Sequence, residues 1–318
     1  MRSKPQLEAA IRHGGRAVLI VNTRSRSGRR HFDEARRLLG EAGLRFADVF
    51  PIADPSRMPE IFREALDSDP DLVIVGGGDG TVKEAVSHVA ERDVALGLLP
   101  LGTTNNFARS LRLPLNLARA VAVLRDGKVA DVDVGRVRYG ADPADSPGDV
   151  FANMISLGLS VEVAGQVPHG LKRVVGRAAY ALTALRLMPG HRPFDATVRV
   201  GDTTRRLTTH QLNVANGSHH AGRPIAADAS ADDRLLAVYR LGNGARLRLA
   251  AETARHALIG HRRTLAQTAL LTTDDVYLET DPPLPVDVDG EVRGRTPVRV
   301  SLVPNALRVM VAQSFLDT

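Results

Sequence analysis

Asp71-Leu-Val-Ile-Val-Gly-Gly-Gly-Asp-Gly-Thr-Val-Lys-Glu84 decides the fold of this chain. The apolar run Leu72–Val75 reads as a buried strand, a glycine turn follows, and a helix is expected from about Thr81. A strand–glycine turn–helix presents bare backbone N–H groups and a helix N-terminus, which together suit a phosphate group. Glycine is expected there because a Cβ would block close approach and because such turns often need φ > 0. Asp79 sets the stretch apart from a generic phosphate loop. A carboxylate beside a phosphate is repulsive unless a metal ion or a transferable proton lies between them, so nucleotide-dependent phosphoryl transfer is expected. An ordinary tight turn of an α/β fold would carry much of the same pattern. The Walker run Gly-x4-Gly-Lys-Ser/Thr is absent, and G-x-G-x-x-G fails whether it is started at Gly76 or at Gly78.

Outward from this stretch, strands and helices alternate. Strands are expected at Arg16–Val21, Arg45–Phe50 and Ala95–Pro100, and helices at Arg30–Ala42, Pro55–Ser68, Thr81–Glu91 and Asn105–Leu111. This order predicts a parallel sheet with helices on both faces and a ligand site at the carboxyl ends of its strands. After about Val129 strand patterns dominate: Asp131–Val137, Val150–Ser156, Phe194–Val200, Gln211–Ala215, Leu235–Tyr239, Asp275–Glu279, Leu284–Val288 and Val298–Leu302. Helical stretches at Leu171–Leu187 and about Ala245 to Ile259 interrupt them. The prediction is an α/β domain with a parallel sheet followed by an all-β domain with a few helices.

Bulk properties narrow the function. A chain of 318 residues, 43% hydrophobic and 25% charged, suits one large or two medium globular domains. The absence of cysteine excludes disulfides, thiolate metal sites and cysteine nucleophiles, and fits a cytoplasmic protein. Met1–Glu8 lacks the apolar core of a signal peptide, and no apolar run approaches the ~20 residues that span a bilayer. The net charge of +6 comes almost wholly from arginine and favours anionic partners. With few aromatics and no tryptophan, stacking platforms for nucleic acid are thin, and no nucleic acid is expected.

Further constellations follow. In Asn22-Thr-Arg-Ser-Arg-Ser-Gly28 the polar side chains suit a second phosphate edge or a plain loop. In Leu99-Pro-Leu-Gly-Thr-Thr-Asn-Asn106, Gly102 gives a turn, Thr103 and Thr104 offer hydroxyls, and Asn105 or Asn106 can cap a helix. Asp232 and Asp233 suit a hard cation or a solvated loop. Val286-Asp-Val-Asp-Gly-Glu-Val292 gathers Asp287, Asp289 and Glu291 around an Asp-Gly turn, and alternation places Asp287 and Asp289 on one strand face. His210, His219 and His220 lack metal-ligand spacing, and no G-x-S-x-G elbow exists.

Each motif is common, but their order is not. Asn22…Gly28, Gly77-Gly-Asp-Gly-Thr81, Pro100-Leu-Gly-Thr-Thr-Asn105, Asn153…Gly158, Asn216…Gly222…Asp232-Asp-Arg-Leu235 and Asp289-Gly-Glu291 follow one another from about residue 16 to 312. In this the chain resembles the diacylglycerol kinase/sphingosine kinase catalytic superfamily, and most of all its bacterial YegS-type lipid kinases. The resemblance implies a nucleotide-binding domain over 1–130, a β-sandwich substrate domain over 131–304, and a segment 305–318 that returns to the first domain. It implies ATP as phosphate donor, bound by Asn22, Gly77, Gly78, Asp79, Gly80, Thr81, Glu84, Gly102, Thr103 and Asn105. It further implies Mg²⁺ acting with Asp79, Glu291 as general base, Asp289 as its acidic neighbour, and Asp133 tied into that network. A separate structural Mg²⁺ would be held at Ser230, Asp233 and Leu235.

The implied substrate is a hydroxylated lipid at the inner membrane surface, and a homodimer is left open. Lys83 stands where Asn is frequent, Asn106 where Asp is frequent, and Arg234 where Gly is usual. The Leu171–Leu187 stretch suits either an anionic bilayer or its own domain. An NAD kinase-type phosphotransferase and a nucleotide-binding regulator without catalysis are the alternative functions.

Overall fold

The computed structural model describes residues 2–24, 26–141, 148–166, 183, 186–187, 190–216, 219–220, 223–224, 234–241 and 270–316. It opens with helix α1 (Lys4–Arg12), strand β1 (Ala17–Asn22), helix α2 (Arg26–Glu41) and strand β2 (Phe46–Ile52). A short 3-10 turn (Pro55–Arg57) leads into α3 (Met58–Asp67), then β3 (Leu72–Gly77), α4 (Asp79–Val89), β4 (Ala95–Pro100), α5 (Asn106–Ser110) and α6 (Leu117–Asp126). The four strands pair in parallel in the order β2-β1-β3-β4.

Both faces of the three inner strands are covered, which is why β1, β3 and β4 read as continuous apolar runs rather than alternations. Val18, Ile20, Val73, Val75, Leu96 and Leu98 point to one core with α3, α4 and α5. Leu19, Val21, Leu72, Ile74, Ala95 and Leu99 point to the other, against Leu7 of α1, Ala35 and Leu39 of α2, and Leu124 of α6.

The second half begins with β5 (Lys128–Tyr139), β6 (Asp149–Phe151), β7 (Met154–Gly158) and α7 (Leu159–Gln166). Strands β8 (Phe194–Val200), β9 (Thr203–Thr209), β10 (Gln211–Ala215), β11 (His219–His220), β12 (Arg223–Pro224) and β13 (Leu236–Leu241) follow. The last are β14 (Leu271–Thr273), β15 (Asp275–Asp281), β16 (Pro285–Val288), β17 (Glu291–Arg295) and β18 (Val298–Val311).

A six-stranded antiparallel sheet, β14-β13-β10-β7-β16-β17, faces the β18-β15-β8-β9 part of the larger sheet. Phe151, Ile155, Leu157, Leu212, Val238, Val276 and Val300 fill the space between them. The expected architecture, an α/β domain plus an antiparallel sandwich, is therefore present. Strand β18 joins the two: its first part pairs antiparallel with β15, and Arg308 and Val309 lie parallel to Ala95 and Leu96 of β4. No helix among the described residues is long and apolar enough to cross a membrane.

Several elements differ from expectation. The single strand expected at Val150–Ser156 is two strands in different sheets, because the chain leaves the large sheet after Phe151 and enters the small one at Met154. Helices α1 and α6 and strands β9 and β17 had no counterpart in the sequence reading. The helical stretches expected at 171–187 and 245–259 lie largely or wholly outside the described residues.

Candidate active site

The glycine loop connects β3 to α4, and steric room rather than handedness explains its glycines. None of Gly76, Gly77, Gly78 and Gly80 has positive φ, which corrects that part of the expectation. A Cβ on Gly77 would lie 2.5 Å from the Thr81 side chain, and one on Gly102 would lie 2.4 Å from the Cα of Gly78. The glycine loop and the Leu99–Asn106 loop thus touch backbone to backbone. Gly80 is exposed, and an added Cβ there meets nothing within 4 Å. The amides of Thr81 and Val82 bond back to the Gly78 carbonyl. The amides of Asp79 and Gly80 then stand at the start of α4, where no intrahelical acceptor exists.

Asp79 fastens the two loops. Its Oδ1 accepts the Asn106 amide at 2.6 Å, and its Oδ2 accepts the Thr104 hydroxyl. Asn22 Nδ2 donates to Thr81 Oγ1 at 3.2 Å, which ties the end of β1 to the same helix turn. Asn105 holds the N-cap position of α5 but its side chain makes no cap bond there. Asn105 sits in the left-handed region (φ 48°), where its Oδ1 accepts the Gly102 amide at 3.0 Å and its Nδ2 donates to the Gly102 carbonyl at 2.8 Å. The side chain locks its own loop, and that leaves Asp79 to receive the helix amide. Thr103 is exposed, and the neighbouring Thr104 touches Asp79 instead. Glu84 is turned to His88 of its own helix, 3.1 Å from Nε2, with that ring stacked on Phe62.

The acidic constellation lies on the facing sandwich. Asp289 and Gly290 both have positive φ, 48° and 93°, as a two-residue hairpin turn between β16 and β17 requires. Asp289 is therefore a turn residue and does not share a strand face with Asp287, contrary to the alternation argument; Asp287 Oδ1 accepts the Gly290 amide at 2.8 Å. The Asp289 carboxylate reaches back to the chain crossing between β6 and β7. It accepts the amides of Ala152 (2.7 Å), Asn153 (3.1 Å) and Met154 (2.9 Å), which have left one sheet and joined the other. Burial pushes its pKa up to about 6, against the opposing pull of those amides and of Lys83.

Asp133 is buried on β5 and accepts the amides of Arg234 at 3.0 Å and Asn305 at 2.8 Å. Asn216 links it to the hairpin: its Nδ2 donates to the carbonyls of Asp133 and Ala152. Ser230 and Asp233 lie outside the described residues, and Leu235 is exposed. Among the described residues, no group of three or more acidic or histidine side chains is placed to hold a metal.

Glu291, the first residue of β17, meets the α/β domain directly. Its Oε2 accepts from Lys83 Nζ at 2.9 Å and from Arg293 at 2.7 Å. Lys83 holds its carboxyl below the usual glutamate range, with Arg293 adding to the effect. Thr104 rather than Thr103 supplies the hydroxyl on Asp79, and Lys83 joins the site although it was not expected there. The i+4 offset of Lys83 from Asp79, which sets it one helix turn inward, was the available signal.

This arrangement presents amide donors and a carboxylate on one domain, and an ionised carboxylate on the other. The close backbone approach that Gly77, Gly78 and Gly102 allow, with open space at Gly80 beside the first amides of α4, forms a narrow cradle that fits a phosphate chain. One carboxylate beside that cradle fits Mg²⁺, which is commonly bound by one or two carboxylates with substrate phosphates and water.

Residues 16–137 match the diacylglycerol kinase catalytic domain family, and residues 153–311 match the YegS C-terminal NAD kinase beta sandwich-like domain. A "Probable lipid kinase YegS-like" of Chromohalobacter salexigens is 30% identical over 93% of each chain. A diacylglycerol kinase of Staphylococcus epidermidis is 28% identical over 73% of this chain and 72% of its own. A crystal structure of a diacylglycerol kinase from Bacillus anthracis superimposes with a TM-score of 0.75 over 95% of this chain and 98% of that one, at 23% identity, and shares the fold.

Proposed function

The chain belongs to the YegS-type lipid kinases of the diacylglycerol kinase family, and from its site we propose that it transfers the γ-phosphate of ATP to a lipid hydroxyl with Glu291 as general base. The observation that carries this reading is the Lys83–Glu291 contact, which sets an ionised carboxylate of the sandwich against the helix that starts at the glycine loop. The amides of Asp79 and Gly80 and the N-terminus of α4 receive phosphate oxygens. Asp79, with Thr104 orienting it, would hold Mg²⁺, which neutralises charge on the phosphates when bound.

A lipid hydroxyl is a weak nucleophile, so its proton must pass to a base within hydrogen-bond reach. Its oxygen bonds to the γ-phosphorus, the bond from that phosphorus to the bridging oxygen breaks, ADP leaves, and the proton ends on Glu291. Asp289 does not touch the reacting atoms in this scheme; it pins the hairpin that presents Glu291. The substrate places the reaction at a membrane surface, on the cytoplasmic side where ATP is available.

The test is transfer of labelled γ-phosphate from ATP and Mg²⁺ into diacylglycerol, phosphatidylglycerol and ceramide-type lipids in mixed micelles, with NAD as a parallel acceptor. A labelled lipid that disappears with Asp79→Ala is the expected result. Label on NAD alone would replace the lipid by a nucleotide acceptor.

A further inference from the structure

Among the described residues, Lys83 is the one lysine buried at the junction of the two domains beside the site. Its side chain is 5% exposed, whereas that of its partner Glu291 is 56% exposed. An ammonium withdrawn from water is costly unless it is paired, so the buried member of this pair depends on the exposed one. Lys83 lies one turn into α4, the helix whose first residue is Asp79. Glu291 opens β17, the edge strand of the small sheet. The contact therefore runs from the element that carries the phosphate cradle to the element that carries the base.

Both cations bind the same oxygen. Oε2 takes Lys83 from α4 and Arg293 from its own strand, and Oε1 has no hydrogen bond among the described residues. One oxygen is anchored and the other is left to receive a proton. Asp289 feels the same ammonium, so the charge of Lys83 acts on both carboxylates of the hairpin.

We propose that Lys83 is the positioning residue of the transfer, holding Glu291 Oε2 so that Oε1 stands in register with the phosphates over the glycine loop. This rests on the lipid kinase reading above and goes beyond it, since Lys83 stands where the resemblance leads one to expect Asn. A Lys at this place supplies a fixed charge from the phosphate side of the cleft. An Asn would be too short to span the same gap and carries no charge. Lys83 acts through Glu291 and forms no bond to substrate.

The experiment compares wild type, Lys83→Met, Lys83→Gln, Glu291→Gln and the Lys83→Met/Glu291→Gln double variant in the lipid transfer assay. Met fills the volume of the lysine stem without its charge, and Gln keeps a donor should Met disturb folding, which thermal melting reads out. Lys83→Met should lower kcat by about 10- to 100-fold. KM for ATP should stay within about twofold, since nucleotide contacts are untouched. The acid limb of kcat/KM should move to higher pH, because Glu291 loses the larger of the two cationic influences that keep it ionised. In the Glu291→Gln background the Lys83 substitution should cost nothing more.

An equal loss in both backgrounds would overturn the proposal, as would wild-type kcat with an unmoved acid limb. A wild type that labels no lipid contradicts the kinase reading itself, whereas an active wild type with an indifferent Lys83→Met contradicts only the role of Lys83.

Discussion

The glycine loop at Gly76–Gly80 and the Asp289-Gly290 turn both set glycine beside a carboxylate, but glycine serves them differently. In the loop no glycine has positive φ; Gly77 and Gly102 are needed because their Cβ atoms would strike Thr81 and Gly78. In the turn Gly290 has φ 93° and open space around it, so handedness alone selects it. The carboxylates also differ. Asp79 joins two loops of one domain, whereas Asp289 joins a hairpin to a strand crossing. One region is shaped by close approach and offers donors; the other is shaped by backbone conformation and presents an acceptor.

Substitutions can sharpen that contrast. Among substitutions at the loop and the turn, Asp79→Asn should cause the largest change, lowering lipid phosphorylation about 10²- to 10³-fold, because it removes the charge beside the phosphates and one of two acceptors. Initial rates at saturating ATP read this out. Gly102→Val should destabilise the protein by about 1–3 kcal/mol through overpacking against the Gly78 backbone and weaken ATP binding. Gly80→Ala should leave the melting temperature unchanged yet reduce ATP affinity, since its Cβ enters only the open space of the cradle. Calorimetric titration beside thermal melting separates these two outcomes.

Asp289→Asn should cost about 1–3 kcal/mol, because an amide cannot accept three N–H donors as a carboxylate does. It should also alter the pH dependence of stability. The folded Asp289 pKa of about 6 lies above its reference of 3.8, so the folded state holds the proton more tightly. That contribution is complete below the unfolded value and lost as pH rises through about 6. Denaturant midpoints between about pH 4 and 6 should show this slope in wild type and not in the variant. Gly290→Ala should have the smallest effect, near 1 kcal/mol, from the positive φ alone.

The sequence was most legible where a strand packs at least one face into a core. Ala95–Pro100, Phe194–Val200 and Gln211–Ala215 were bounded from their residues as they occur, because apolar runs and alternations report directly on which faces are covered. Strands β9 and β17 were missed because Thr203-Thr-Arg-Arg-Leu-Thr-Thr209 and Glu291-Val-Arg-Gly-Arg295 are mostly exposed edge strands without an apolar period. For α1 the signal was present: Ser3 and Gln6 form a reciprocal capping box. Asn116 likewise caps α6.

The break at Ala152-Asn153 had no local signal, since the carboxylate that satisfies its amides comes from Asp289, far along the chain. The same holds for Lys83: a helical lysine reads as a solvated side chain until a second domain closes over it. Sequence order located the loops, but only the tertiary contact revealed which oxygen of Glu291 is held and which is left open.

The central claim is that the phosphate cradle of one domain and Glu291 of the other act together on a lipid hydroxyl. Single-turnover transfer from labelled ATP into the lipid acceptor by Glu291→Gln, with ATP affinity measured in parallel, tests it most directly. The account predicts ATP affinity near wild type with transfer reduced about 10²- to 10⁴-fold, the usual range for a lost general base. Transfer at the wild-type rate would contradict it.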